Sequence, residues 1–357
     1  MNLQILDQLV AAVSAFLEAR QTPGMPFGHF SQCAHALAAD ELSALCVALE
    51  LWKMLGLPLK DGDLDYAVSR LRQSQHPETG LILDPTWEGR INPEGADKLI
   101  HGDSFFTRTA VCALRAWGRR FPRPVACVSQ MTTSDLPDRI LWNRGGHHRY
   151  SIGDFAVLLL HNKELGVAGA GELYQKLVEA TESKQDPATG LWLEGDPADA
   201  LTPSINLTFH TIKFTFNVLN RPLRYPERIV DSCLAASRDN RFYSWKTGYA
   251  CNDLDLAHVL YSALHYTDHR REEAAGWARE RLPMILSVRK PDGGFSFYHD
   301  RSMDKHYLLE VSQSKPEGDL WGTLMYMGTI YMMVRIGYPE LSVPWSTSEV
   351  HKVSHAS

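Results

Sequence analysis

Apolar and polar stretches alternate along this chain with helical periodicity and near-regular spacing. Almost continuously apolar segments recur at 42–55, 105–117, 155–165, 207–219, 256–266 and 320–336. Helices that are apolar on every side belong in an interior rather than on a surface. The polar residues at their starts are Asp40, Asp103, Asp154, Asn206, Asp253 and Asp319, at successive intervals of 63, 51, 52, 47 and 66 residues. Between them lie more polar, one-sided helical segments at 5–17, 64–72, 135–143, 172–182, 227–237 and 273–288. Strand-like alternation is scarce. One hairpin of a buried and an amphipathic helix cannot cover its own apolar surface, but hairpins stacked side by side can. The pattern therefore predicts an all-α fold: one domain spanning 1–357, built as an (α/α)6 toroid, a double-layered barrel of six helical hairpins. The last ~15 residues are expected as a loose tail.

Three short segments punctuate this rhythm: Gln75-His-Pro-Glu-Thr-Gly80-Leu-Ile82, Gln185-Asp-Pro-Ala-Thr-Gly190-Leu-Trp192 and Arg289-Lys-Pro-Asp-Gly293-Gly-Phe295. Each follows an amphipathic segment, where Pro stops a helix and Gly permits left-handed backbone. The large apolar residue at the end, Trp192 or Phe295, is expected to fold back over its hairpin as a core anchor.

These segments resemble the Gln- and Trp-containing repeats of the terpenoid cyclase and protein prenyltransferase superfamily. The stretch Pro291-Asp-Gly-Gly-Phe295, followed by Lys315-Pro-Glu-Gly-Asp319-Leu-Trp-Gly-Thr323-Leu-Met-Tyr326, is similar to the last hairpin of protein prenyltransferase β subunits. The resemblance covers nearly the whole chain and implies the same α/α toroid. Carried over residue by residue, it departs from the family at the chemistry. The family's zinc-binding His position in the last inner helix is Gly322 here, and its Asp-x-Cys-Tyr-Ser segment is Asn240-Arg-Phe242-Tyr243-Ser244. No zinc site and no cofactor are expected, and protein prenylation is disfavoured. No Asp-Asp-x-x-Asp motif for a metal–diphosphate complex occurs either.

Composition narrows the setting more than the chemistry. The chain has 44% apolar and 22% charged residues and a formal net charge of −6, so it lacks the basic footprint of a nucleic-acid partner. No apolar run has the length of a membrane span, and the amphipathic N-terminus carries Asp7 and Glu18 rather than a signal-peptide pattern. Six cysteines without CxxC pairing read as reduced thiols. A cytoplasmic protein acting on a small molecule is the expectation.

In a double-layered barrel the inner helices direct one end towards a common cavity, where their dipoles favour negative charge. Candidate residues near those ends are His101 and Asp103, His147, His148, Arg149 and Asp154, His210 and Lys213, Asp253, Asp255 and His258, and Asp319 with Trp321. An Asp before an apolar helix is also what an N-cap looks like, so Asp103, Asp154 and Asp319 have a structural reading beside the functional one. The run Asn252-Asp253-Leu-Asp255-Leu-Ala-His258 resembles the Asp-x-Asp-Asp motif of class II terpene cyclases, although its final Asp is Leu256 here. That likeness implies Asp255 as a general acid, its pKa raised by apolar walls, with Asp253 and His258 tuning it. Arg238, Arg241 and Tyr243 match a basic cluster of prenyltransferases. With His147, His148, Asp103, His210 and Trp321 they form the expected substrate-binding set.

The leading expectation is acid-initiated cyclisation or isomerisation of an isoprenoid or other apolar substrate. Two alternatives stay open. Gln185 to Trp192 also resembles a segment of unsaturated-uronyl hydrolases, and Asp103, His147, Asp154 and His210 could serve a carbohydrate-active (α/α)6 enzyme. A non-catalytic binding module would fit the missing zinc ligands. A chamber walled by Phe and Met favours the first reading, and a groove rich in Trp and carboxylates the second.

Overall fold

The computed structural model describes residues 3–87, 101–129, 132, 152–193, 201–239, 241–242, 250–306 and 309–347. Helices dominate: α1 (Leu3–Ala19), α2 (Leu42–Met54), α3 (Asp63–Gln73), α4 (His101–Ala116), α5 (Ala126–Ser129), α6 (Ile152–Glu164), α7 (Ala170–Ser183), α8 (Thr202–Phe214), α9 (Phe216–Leu219), α10 (Pro226–Arg238), α11 (Ala250–Ala263), α12 (Arg271–Ser287) and α13 (Leu320–Gly337). A two-residue antiparallel ladder joins Lys305–His306 to Leu309–Glu310. None of the six cysteines is in a disulfide, and among the described residues no helix is long and apolar enough to cross a membrane.

The two helix types of the sequence pattern differ in burial as expected. Every residue of α2 from Leu42 to Trp52 is buried, and α11 is buried along its length apart from Cys251. On α3 only Ala67, Val68 and Leu71 are buried. The buried helices pack in sequence: α2 against α4, α4 against α6, α6 against α8, α8 against α11, α11 against α13, and α13 against α2. The amphipathic helices add one each to this set: α1 lies on α2, α7 on α6, α10 on α11 and α12 on α13.

The two ends of the chain meet. A Cβ at Gly293 would stand 2.5 Å from the Ala12 carbonyl oxygen of α1, a contact only glycine permits. Leu320 N–H donates to the Gln32 carbonyl (2.9 Å) and Gln313 N–H to that of His35 (3.0 Å). Trp345 is buried with its indole N–H on the Met327 carbonyl (3.2 Å), and Ser346 N–H reaches the Met54 carbonyl (3.0 Å). Part of the expected loose tail is therefore docked; residues 348–357 lie outside the described set.

The repeated segments share one construction. Gln75 and Gln185 each donate through Nε2 to the carbonyl of the segment's own Gly80 or Gly190, at 3.0 and 2.8 Å. The backbone N–H of each apolar anchor then donates to a threonine hydroxyl of the next buried helix: Ile82 to Thr107, Trp192 to Thr208 and Phe295 to Thr323, each at 3.0 Å. A turn, a buried anchor and a threonine pin thus fix the register between hairpins, because a buried N–H left unpaired costs ~1–3 kcal/mol.

Element boundaries differ from the periodicity in informative ways. The fourth buried segment starts at Thr202, with Pro203 in its first turn, rather than near Leu207. It breaks at Thr215, where the Phe214 carbonyl accepts from the Tyr174 hydroxyl (2.8 Å). Asp103, Asp154 and Asp253 fall inside the first turns of their helices rather than at N-caps. Asp319 is a true N-cap, accepting from Gly322 N–H (2.7 Å) and also from Phe297 N–H (2.7 Å) and Met303 N–H (2.9 Å). The amphipathic segment expected at 135–143 lies outside the described residues.

Candidate functional site

Four of the buried helices and one loop enclose a cavity of about 250 Å³. Phe105 and Arg108 come from α4; Phe209, His210 and Lys213 from α8; Cys251, Leu254 and Asp255 from α11; Trp321 and Met325 from α13. Phe297, Met303 and Lys305, from the segment between α12 and α13, complete the described wall. The lining is mostly aromatic and apolar, with a few charged groups set into it, the usual composition of a small-molecule site.

Asp255 is 2% exposed, and Asn206 Nδ2 donates to its Oδ2 at 2.5 Å. Burial raises its pKa well above the usual carboxylate range, against the opposing pull of Lys213 and of the Asn206 hydrogen bond. Lys213 faces the same cavity at 3% exposure. Its ammonium nitrogen lies 3.8 Å from the Phe209 ring centroid and 4.9 Å from that of Phe214. Burial first, then the neighbouring Arg108, lowers its pKa to about 7, with Asp255 and Asp154 acting in the other direction. Arg108 forms a buried ion pair with Asp154 (2.8 Å) and stacks 4.2 Å from the Phe105 centroid. Burial shifts both Asp255 and Lys213 towards their uncharged forms, beside a self-compensated Arg–Asp pair.

The residues expected to act together separate into three groups. Asp255, His210 and Trp321 share the cavity, with Trp321 5.5 Å from the Phe105 ring. Asp253 does not line it. That carboxylate is fully buried against Arg281 (2.9 Å) of α12, with the Tyr326 hydroxyl at 3.4 Å and His299 at 3.7 Å. His258 is fully buried with neither ring nitrogen hydrogen-bonded, and its ring packs edge-on against Phe209 at 5.0 Å. Burial and Lys213 push its pKa down to about 3, so it is a neutral imidazole. Asn206, rather than Asp253 or His258, is the hydrogen-bond partner of Asp255.

The third group is away from the cavity. Arg238 is exposed and ion-paired with Glu273, and Arg241 is exposed and clamps Asp239 at 2.6 Å. Tyr243, His147 and His148 lie outside the described residues, as does the side chain of Asp103. The basic groups that do reach the cavity are Arg108, Lys213 and Lys305. Arg108 has a sequence signal of its own, a lone arginine inside Phe105-Phe-Thr-Arg108-Thr-Ala-Val111, because a charge on a buried helix needs a partner or a ligand.

Gly322 explains one departure from the prenyltransferase pattern. A Cβ there would lie 2.3 Å from the backbone nitrogen of Phe297, so the position has no room for a histidine. Among the described residues no cluster of His, Cys, Asp and Glu has the arrangement of a metal site. Comparison with family models, curated proteins and solved structures finds no match to this chain.

Proposed function

We propose that the buried helices close into the inner ring of an (α/α)6 toroid and that the chamber around Asp255 is the active site of an enzyme acting on a small apolar, isoprenoid-like substrate. The end-to-end sequence of packing from α2 round to α13 and back to α2 supports the ring, as does the docking of the last hairpin on α1. The reaction is acid-initiated cyclisation or isomerisation, in which Asp255 gives a proton to an alkene carbon of the substrate.

One observation carries the chemistry: a carboxyl group held by Asn206 in a chamber walled by Phe105, Phe209, Phe297, Trp321 and Met325. Such a group keeps its proton at neutral pH, and a cation formed beside it has aromatic faces to stabilise it. Burial reduces the charge that Lys213 carries near neutral pH, and so weakens its repulsion of such a cation. The reading draws its proton from the protein and calls for no cofactor. It favours an apolar substrate over a sugar, because glycoside hydrolysis uses a pair of carboxyl groups and Asp255 is the sole carboxyl among the described lining residues.

A thermal-shift panel of prenyl alcohols, prenyl diphosphates and uronic oligosaccharides tests the substrate class, since a ligand stabilises the native state in proportion to its occupancy. Prenyl compounds should raise the midpoint, and Asp255→Asn should abolish their turnover while still binding them. Stabilisation by the uronic sugars alone would overturn the reading.

A further inference from the structure

Lys213 is the residue that the acid mechanism leaves without a task. It is 3% exposed, lines the cavity and stands 3.8 Å from the Phe209 centroid. No hydrogen bond or ion pair joins its nitrogen to an acceptor among the described residues: Asp154 is taken by Arg108 and Asp255 by Asn206. A long flexible side chain with a charged end would ordinarily extend to water or to a carboxylate. Here the nitrogen sits instead over the Phe209 and Phe214 rings of its own helix, α8, at the wall of the chamber. Burying a polar group unpaired is costly, and sites that break this rule are where function concentrates.

From this geometry we infer that Lys213 is a nucleophilic amine that condenses with an aldehyde or ketone carbonyl of an apolar substrate, forming an imine inside the chamber. The inference rests on the apolar chamber of the proposed function but not on alkene protonation. The step balances within the site. The neutral Lys213 nitrogen attacks the carbonyl carbon, and the C–N bond forms as the carbonyl π pair moves onto oxygen. Proton transfer from nitrogen gives a neutral carbinolamine. Asp255 then protonates the hydroxyl, which leaves as water while the nitrogen lone pair forms the C=N bond. The products are a protonated imine on Lys213, an Asp255 carboxylate as its counter-ion, and one water. No oxidant or reductant is consumed. Burial sets Lys213 at about 7, so about half of it is uncharged at neutral pH, which is the state such an attack needs.

The test uses citral, an unsaturated isoprenoid aldehyde, with cyanoborohydride to reduce any imine, followed by peptide mass mapping. Geraniol, the matching alcohol, serves as competitor and glyceraldehyde as a small polar control. The expected result is one reduced adduct per chain on the Lys213 peptide, saturable in citral, suppressed by geraniol and absent from Lys213→Met. Asp255→Asn should slow its formation at least tenfold. Glyceraldehyde should label exposed lysines indiscriminately. Lys213→Gln, checked for a wild-type circular dichroism spectrum, replaces Lys213→Met if that variant does not fold. If geraniol raises the thermal midpoint but citral labels Lys213 no faster than surface lysines, imine formation is wrong and the chamber stands. If neither compound affects the protein, the chamber reading fails and the imine with it.

Discussion

Lys213 and Asp255 hold the least comfortable positions of any charged side chains in the cavity, and each has an uncharged form that burial favours. Stability should record this. Free lysine titrates near 10.4, whereas Lys213 titrates at about 7. Between those values the unfolded chain binds more protons than the native one, so Lys213 makes stability rise with pH across that window. Below pH ~7 its full penalty is present. Lys213→Met removes it: the variant should have the higher thermal midpoint at pH 6–7, and its lead should shrink as pH climbs towards ~10. Unfolding of both proteins across that range checks the sign, and a pH-independent gap would contradict it. The same reasoning separates residues the sequence could disclose from those it could not. Asp255 was legible through the run Asn252-Asp253-Leu-Asp255-Leu-Ala-His258, which sets polar groups at the start of a buried helix. Asn206 was read only as a helix start, because its partnership with Asp255 spans two helices and has no local spacing. Arg238 and Arg241 drew attention through their proximity in sequence to the fifth buried helix, yet their partners are the surface acids Glu273 and Asp239.

On the scale of a single helix, α11 puts its two carboxylates to different uses. Residues two apart on an α-helix point ~200° away from each other, so Asp253 and Asp255 cannot share a face. Asp253 looks out to Arg281 and Tyr326 and ties α11 to α12 and α13. Asp255 looks into the cavity. The likeness to a run of aspartates had grouped them, and helical geometry divides them. Asp253→Asn should therefore destabilise the fold by ~3–5 kcal/mol, since it removes the fully buried carboxylate that pairs with an Arg281 side chain only 10% exposed. Denaturant unfolding measures this, and a loss below ~1 kcal/mol would mean that the ion pair is not structural. Helix positions themselves were largely legible, because all-round apolar runs have no other stable state. The break at Thr215 was not, since it depends on a hydroxyl from α7. The threonine pins at 107, 208 and 323 were equally hidden, because their partners are backbone N–H groups 25, 16 and 28 residues away.

For the whole molecule, the repeated turn segments are joints between neighbouring hairpins rather than chemistry. Gly80 lies against Pro124, Gly190 against Tyr225 and Ile229, and Gly293 against Ala12, so each segment touches the start of another hairpin or the first helix of the chain. In the proposed ring this joinery sets the inner helices around one chamber and leaves their facing side chains free to define a reaction. The proposed chemistry requires Asp255 to deliver a proton there. The direct measurement is turnover in deuterium oxide of whichever isoprenoid stabilises the protein most, with the product weighed by mass spectrometry. An acidic proton exchanges with solvent, so wild-type product should gain one deuteron at the attacked carbon and Asp255→Asn should form no product. Full turnover by that variant, or product free of deuterium, would contradict the account.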